Sequence, residues 1–590
     1  MMKNQSRRNG SGKMTLGRFY AVIAVLAILG VLVFTRIARN QVLDGEEGKD
    51  FLQAQGEARS LRTEPIIALR GMITDRFGEP LAVSTPVVTV WANPKFLKQE
   101  TRPLRPLADA LDIDLAELQQ KVNSGKGFVY LKRQMSPDSA QQVMALNYPG
   151  VFAQREYRRF YPAGEVTSHV VGFTDMDDNG QEGMELAYNN LLKGQMGSKR
   201  VLKDLSGRVI KDVQLIKSAE PGQTLQLSID MRIQYLAYRA LKQAVSDFKA
   251  KAGTVVVLDS TSGEVLAMVN VPTYNPNNRT DLGTDSLRNR AITDVFEPGS
   301  TIKPFSMSVA LGTGRYKPET LIDTSPGSVR VGTKLLRDHH NNGVIDLTQI
   351  IARSSQVGMT KVALTLPGDD IRSMLHRVGF GQVTASGFPG ESAGVLPNYR
   401  KWAPIVQATM AFGYGISVTP LQLAQAYSVF ANGGVKKPVS LLRLDTDAAQ
   451  HLVTETVMPP AIAHELVTMM EMVTQAGGTA TRAAVTAYRI SGKTGTAHKA
   501  EGGAYSEKHY TAVFAGMAPA TRPRFVTVVM IDEPSSNRYY GGEVAAPVFS
   551  EVMSTALRLY SVPPDGDPQV VDAQPAHAAE KQAVVKKRLS

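Results

Sequence analysis

From Phe19 to Thr35 the chain reads FYAVIAVLAILGVLVFT, without one charged side chain. At about 1.5 Å of rise per helical residue, a run of this length just crosses a bilayer core of roughly 30 Å, so residues 19–36 are expected to form a transmembrane helix. No second run of this kind occurs along the chain. Residues 40–60 are polar and read as a helical stalk, which Thr63-Glu64-Pro65 should break before Ile66-Ile67-Ala68-Leu69 opens a strand-like segment. Short apolar runs then continue to residue 230, punctuated by Gly71, Gly78, Pro80, Pro86, Pro94 and Pro162-Ala163-Gly164. That is the pattern of an elongated α+β region without a long periodic core.

After Pro221-Gly222 the pattern changes. Gln223 to Asp230 reads as a strand, and Met231 to Lys249 as an amphipathic helix with Ile233, Leu236, Ala240 and Leu241 on one face. Gly253–Asp259 and Glu264–Asn270, joined by Ser260-Thr-Ser-Gly263, form a β-hairpin pattern. Three more strand-like runs follow, Tyr488–Ala497, Thr511–Met517 and Phe525–Asp532, and Ala545–Leu557 reads as a closing helix. The expectation is a five-stranded antiparallel sheet with flanking helices, an α/β domain over residues 252–560. It is preceded by an α+β pedestal over 60–230. Residues 563–590, rich in Pro, Ala, Gln, Asp and Lys, cannot bury a core and read as a disordered tail.

A chain of 590 residues exceeds the roughly 250 to 300 residues that one hydrophobic core serves, which agrees with this multi-domain division. Hydrophobic residues at 43% and charged residues at 20% exclude wholesale disorder. The chain has no Cys, which removes disulfides, thiolate nucleophiles, iron–sulfur clusters and Cys-based zinc sites. Any nucleophile must be oxygen or nitrogen. The 66 Lys+Arg against 54 Asp+Glu give a net charge of +12, which would suit nucleic acid or an anionic envelope. Lys3, Arg7, Arg8, Lys13 and Arg18 precede the apolar run, so the positive-inside rule keeps residues 1–18 in the cytoplasm and exports the bulk of the chain. A cleaved signal peptide shares this outline, but Phe34-Thr35-Arg36-Ile37-Ala38-Arg39 holds no small-x-small cleavage site, which favours an intact anchor. Export assigns the positive charge to topology and an anionic envelope, with no nucleic acid partner.

Chemistry concentrates in the second domain. In Glu297-Pro298-Gly299-Ser300-Thr301-Ile302-Lys303-Pro304, Pro-Gly ends a loop and Ser300 stands at a helix entrance. Ser300 and Lys303 are i and i+3, so one turn brings hydroxyl and amine to the same face, where a neutral lysine can take the serine proton. Ser-x-x-Lys alone is weak evidence: Ser246-Asp247-Phe248-Lys249 repeats it inside the amphipathic helix, where Ser246 reads as a solvent-facing residue. Lys493-Thr494-Gly495-Thr496 occurs once, on an expected strand, and Ser354-Ser355-Gln356-Val357-Gly358 lies between the two. Ser354 can relay a proton towards a leaving amine, Lys493 adds positive charge, and Gly495 lets a substrate backbone approach the strand edge. A P-loop reading of Gly492-Lys493-Thr494 fails, because the Gly it needs is Ala487. Asp338-His339-His340-Asn341 could suggest a metal site, but the nine His are scattered and no HExxH occurs; a loop or surface role is the simpler reading, and no cofactor is required.

The set Ser-x-x-Lys, Ser-x-Asn type and Lys-Thr-Gly resembles that of penicillin-binding proteins and serine β-lactamases. The resemblance to class B penicillin-binding proteins covers most of the exported region. It includes Arg70-Gly71 to Gly78, Arg159-Phe-Tyr161-Pro162 to Gly172-Phe173 and Gly183-Met-Glu185 in the pedestal. Beyond them it includes Arg288 to Asp294, Gly413 to Gln422, Gly477-Gly-Thr-Ala480, Ser491 to Ala497, Tyr539-Tyr-Gly-Gly542 and Ala545 to Phe549. Phe514-Ala-Gly-Met-Ala-Pro519 and the Tyr-Tyr-Gly-Gly segment resemble the division-specific peptidoglycan D,D-transpeptidases.

The resemblance implies a transpeptidase fold in which Ser300 is the acylated nucleophile, Lys303 its general base, Ser354 the proton relay and Lys493 a support for the site and the substrate carboxylate. It implies that Thr494 and Thr496 bind that carboxylate, and that the N–H groups of Ser300 and Thr496 form the oxyanion hole. One position departs from the pattern: Gln356 stands where the family has Asn, with the same amide on a longer arm. Ser535-Ser536-Asn537 matches Ser-x-Asn but follows Lys493, out of the family's order, and reads as a loop. The implied substrates are peptidoglycan stem peptides, a D-Ala-D-Ala donor and a neighbouring acceptor, with β-lactams as inhibitors. The implied partners are a SEDS-family glycosyltransferase and other divisome membrane proteins, at the septum of a bacterial inner membrane. Competing readings are an elongation-specific transpeptidase, a carboxypeptidase or β-lactamase on the same fold, and a non-catalytic divisome scaffold.

Overall fold

The computed structural model describes residues 16–41, 60–204, 209–280, 283–445, 447, 451–501 and 504–566. The stalk expected over 40–60 falls almost wholly outside these residues, as do most of the N-terminal tail (1–18) and of the C-terminal tail (563–590). The chain forms two compact units. One comprises Met1–Ala68, Pro86–Glu156 and Gln195–Glu220; the other comprises Leu69–Thr85, Tyr157–Gly194 and Pro221–Ser590. Residues 60–230 therefore contribute to both.

In the first unit, α1 (Leu16–Gln41) is, among the described residues, the one helix long and apolar enough to cross a membrane, and none of it is buried by protein. Thr35 returns its hydroxyl to the Val31 carbonyl at 2.8 Å, which satisfies a polar group within the apolar run. Strands β1 (Leu61–Ile66), β2 (Gly197–Lys203) and β3 (Val209–Lys217) form an antiparallel sheet in that order. The expected boundary is thus corrected: Thr63-Glu64-Pro65 lies inside β1, and the strand ends at Ile66 where it was expected to begin. Pro65 pairs with Ser198 on an edge strand, where a missing N–H need cost no ladder bond. A separate small core of Val90, Leu97, Leu107, Leu111, Leu118 and Val143 gathers around the helices Arg105–Leu111, Leu115–Asn123 and Pro137–Ala145.

In the second unit, Arg70 and Arg159 converge on Glu185, all three buried: Arg70 Nε lies 2.7 Å from Oε2 and Arg159 Nε 2.6 Å from Oε1. Two guanidinium groups compensate a carboxylate that could not be left alone in the interior. Helix α2 (Met231–Asp247) starts at Asp230, whose side chain accepts the Arg232 N–H, and Ser246 is exposed on it. The strand expected over Gln223–Asp230 is only Leu225–Gln226. The rest is extended chain that bonds other segments, Ser228 N to Leu441 O and Asp230 N to Leu266 O, both at 2.9 Å.

The sheet of this unit comprises β4 (Ala252–Asp259), β5 (Val265–Val271) and, after the helices α3 (Lys303–Gly312), α4 (Gln356–Ala363) and α5 (Pro420–Ala431), the strands β6 (Ser491–Glu501), β7 (Ala504–Ala518) and β8 (Phe525–Asp532). Its order is β5-β4-β8-β7-β6, antiparallel throughout, with β6 on the edge. Every residue of β4 is buried, as a strand covered on both faces must be. Helices α2 and α6 (Ala546–Leu559) pack on each other and on the sheet, and α5 packs on β4 and β8. Strand β6 starts three residues later than Tyr488, because Ala487 takes a left-handed conformation (φ +68°) in a turn that bonds Tyr488 N to Val485 O. The hairpin of β6 and β7 extends past Ala497 and before Thr511; those extra residues are mostly exposed and polar, so no apolar alternation announces them.

Candidate active site

Gly299–Ile302 forms a single 3-10 turn, and α3 follows from Lys303. The helix entrance expected at Ser300 is therefore tighter than an α-turn, and in a 3-10 turn residues i and i+3 eclipse, so Ser300 and Lys303 share a side. Gly299 takes φ +52° and donates its N–H to the Gly413 carbonyl at 3.1 Å. Gly413 has φ +88°, and a Cβ there would lie 2.1 Å from the Gly299 oxygen. Backbone packs on backbone here, which only glycine allows. Just before the turn, Glu297 Oε1 accepts the Gly415 N–H (2.8 Å) and the Tyr505 hydroxyl (3.1 Å), and burial raises its pKa. Ser300 itself is half-buried, and its hydroxyl has no hydrogen-bond partner among the described residues.

Lys303 is fully buried, with Nζ 2.5 Å from the Ser354 carbonyl and 3.1 Å from the Ser354 hydroxyl. Burial pulls its amine down to about 7, against the opposing charge of Asp338. Lys493, on β6, is equally buried and lies 3.3 Å from the Thr494 carbonyl and 3.4 Å from its hydroxyl. Its pKa is driven well below the usual lysine value, first by burial and then by the charge of Lys303. Two buried amines that repel each other's proton leave a neutral amine at hand near neutral pH, the state a general base needs.

The remaining residues singled out in the sequence fall around this centre unevenly. Thr494 Oγ1 is 2.9 Å from Thr479 Oγ1, and Thr496 Oγ1 accepts the Gly541 N–H at 3.0 Å. At Gly495 a Cβ would meet Pro298 O at 2.8 Å and Thr301 Cγ2 at 3.0 Å. The space this glycine leaves is taken by the turn that carries Ser300, which adds a packing reason to the substrate access read from the sequence. Gln356 opens α4, and its half-buried side chain has no hydrogen bond among the described residues, while its N–H goes to Asp338 Oδ1 at 2.6 Å. Ser535 lies in a loop, bonded through Oγ to Lys249 O. Among the described residues no group of three or more His, Asp or Glu could hold a metal ion.

Two residues of this neighbourhood carried no role in the sequence reading. Asp338, weighed there only as loop or metal ligand, caps the Ser355–Val357 turn. Thr479 belongs to the Gly477-Gly-Thr-Ala480 motif and braces Thr494. Nothing local marks Asp338, because it meets its partners only through the fold.

Residues 253–554 match the penicillin binding protein transpeptidase domain, and residues 65–227 the penicillin-binding protein dimerisation domain. The chain is similar to the probable peptidoglycan D,D-transpeptidase PbpC of Pseudomonas aeruginosa, 43% identical over 562 residues, covering 94% of this chain and 98% of that one. It is similar to the peptidoglycan D,D-transpeptidase FtsI of Escherichia coli K12, 41% identical over 556 residues, covering 93% of this chain and 92% of that one. Among solved structures it resembles penicillin-binding protein 3 of Mycobacterium tuberculosis complexed with aztreonam, at 27% identity and a TM-score of 0.66, covering 86% of this chain and 99% of that one. With a dimerisation domain joined to a transpeptidase domain, and with such relatives along nearly its whole length, the chain belongs to the class B penicillin-binding proteins, the peptidoglycan D,D-transpeptidase family.

Proposed function

We propose that this chain is the septal peptidoglycan D,D-transpeptidase of a bacterial inner membrane. The observation that carries the reading is the buried Lys303 amine, bonded to Ser354 and carried by the residue that directly follows the Ser300 turn. Ser300 Oγ attacks the carbonyl carbon of the penultimate D-Ala of a stem pentapeptide and gives its proton to neutral Lys303. The tetrahedral oxyanion is held by the N–H groups of Ser300 and Thr496; loss of one such donor costs about 3 to 4 kcal/mol of transition-state stabilisation. As the C–N bond breaks, the proton held by Lys303 passes through the Ser354 hydroxyl to the departing D-Ala amine. The amine of a neighbouring stem peptide then attacks the Ser300 ester. It loses its proton by the same route in reverse and restores the serine, leaving a 4-3 cross-link. Thr494 and Thr496 bind the terminal carboxylate of the donor, with Lys493 behind them and Gln356 against the peptide amide.

In this reading residues 1–18 face the cytoplasm, residues 19–36 span the membrane, residues 60–230 form the pedestal and residues 252–560 the periplasmic catalytic domain. The five basic residues before the apolar run support that orientation. A SEDS-family glycosyltransferase and other divisome membrane proteins are the partners the reading implies. A β-lactam, as a mimic of D-Ala-D-Ala, acylates Ser300. Fluorescent penicillin added to the full-length protein in detergent tests this: covalent label on the wild type, none on Ser300→Ala. Label that persists in the mutant defeats the assignment.

A further inference from the structure

We propose that Asp338 is a positioning residue of the acyl-transfer centre, whose carboxylate holds the Ser354–Val357 turn, and through it Lys303, in place. The inference rests on the transpeptidase reading above and deepens it. Ser354 touches Lys303 with both its carbonyl and its hydroxyl, yet it does so from a left-handed backbone conformation, φ +59°. Such a conformation is strained for a non-glycine residue and persists only where neighbours enforce it. The enforcement comes from the next three residues. Ser355 Oγ donates to Asp338 Oδ2 at 2.5 Å, and the N–H groups of Gln356 and Val357 both donate to Oδ1, at 2.6 and 3.0 Å. Ser355 Oγ in turn accepts the Gly358 N–H at 2.9 Å.

The carboxylate is itself held. Asn342 Nδ2 donates to Oδ2 at 3.1 Å, and the Asp338 N–H bonds to Gly327 O at 2.9 Å. Four donors on two oxygens use all the acceptor sites a carboxylate has; a neutral amide offers only its carbonyl half. Asp338 also faces the opening turn of α4 with a negative charge, the favourable end of that helix. Its charge reaches Lys303 as well and favours the protonated amine. The helices packed against α3 carry Asp369, Asp370, Arg372, His376 and Arg377 (Gly368–Arg377), His464, Glu465 and Glu471 (Pro460–Glu471) and Lys361 (on α4). Lys493 from β6 also faces Lys303: each of the two buried amines disfavours a proton on the other. Asp338 therefore acts twice, by fixing where Ser354 stands and by opposing the burial that strips Lys303 of its proton.

The two actions separate experimentally in the pH dependence of acylation by a chromogenic β-lactam, measured on the full-length protein in detergent. In the wild type the rate should fall on the acid side as Lys303 protonates, near pH 7. Asp338→Asn removes a negative charge, so Lys303 protonates at lower pH and the acid limb moves down by about one unit. Its plateau drops about tenfold or more as the turn loosens. Ser355→Ala keeps the charge but loses one anchor: its plateau drops and its acid limb stays. An acid limb that does not move down in Asp338→Asn, or wild-type plateau rates in Ser355→Ala, overturns the proposal. A wild type that takes no covalent β-lactam at Ser300 overturns the transpeptidase reading and this inference with it.

Discussion

The two walls beside Ser300 are built on different principles. One is β6, which carries Lys493, Thr494, Gly495 and Thr496 on a ladder to β7 that runs from Ser491↔Met517 to Glu501↔Ala504. The other is the Ser354–Val357 turn, which belongs to no sheet and is held by the side chain of Asp338. The ladder fixes the position of its residues through the backbone, so that position is disturbed mainly by a side chain that intrudes on the turn of Ser300. The second wall depends on one carboxylate. Backbone-built walls should fail by bulk, side-chain-built walls by loss of charge or of an acceptor.

Lys303→Met should have the largest effect, because Lys303 is bonded to Ser354 and is the general base of the proposed reaction. It removes the base and the bonds to Ser354, and general-base loss is expected to slow acylation about 10²- to 10⁴-fold, read by stopped-flow with a chromogenic β-lactam. Next is Gly495→Ala, the bulk test of the β6 wall. Its Cβ would press on Pro298 O and Thr301 Cγ2 and displace the nucleophile turn, and a displacement of about 1 Å costs on the order of a hundredfold in the same assay. Normal acylation by Gly495→Ala would show that the β6 wall yields to bulk.

The unmodified protein supplies the third test. Lys303 loses its proton near 7, so acylation should be nearly flat above that pH and fall about tenfold per unit well below it, the neutral amine being the active form. A flat profile down to pH 5 would remove Lys303 from the role of base. The smallest effect is expected for Gln356→Asn. Its side chain has no hydrogen bond among the described residues, while its N–H to Asp338 is unaffected by the exchange, so melting temperature should hold and acylation should change by about threefold or less. A large loss of stability would mean that the second wall relies on this side chain as well as on Asp338.

These differences also explain what could be read in the chain beforehand. The β6 wall was legible because its chemistry is local: Lys493 to Thr496 are consecutive, and strand alternation and the glycines of Ser491 to Ala497 mark the element. The Ser300 turn was legible for the same reason, although as a helix entrance instead of a 3-10 turn. Ser354 was visible as a residue but its support was not, since a loop, one short strand (Val344–Asp346) and a helix (Leu347–Ala352) separate Asp338 from it along the chain. The strand ends failed where burial is one-sided or absent, at Pro65 in an edge strand and along Ala504 to Tyr510 in the exposed part of the hairpin. Periodicity reports burial, and where a strand buries little it has nothing to report.

The apolar helix, the five strands and the three motifs could be read from the chain alone, because each depends on residues near one another in it. Only the tertiary structure decided that Lys303 is buried against Ser354, that Gly413 backs the Ser300 turn, and that Asp338 steadies the turn opposite. The reason is physical: the proton affinity of an amine and the conformation of a strained turn depend on what surrounds them in space, and those neighbours come from distant parts of the chain.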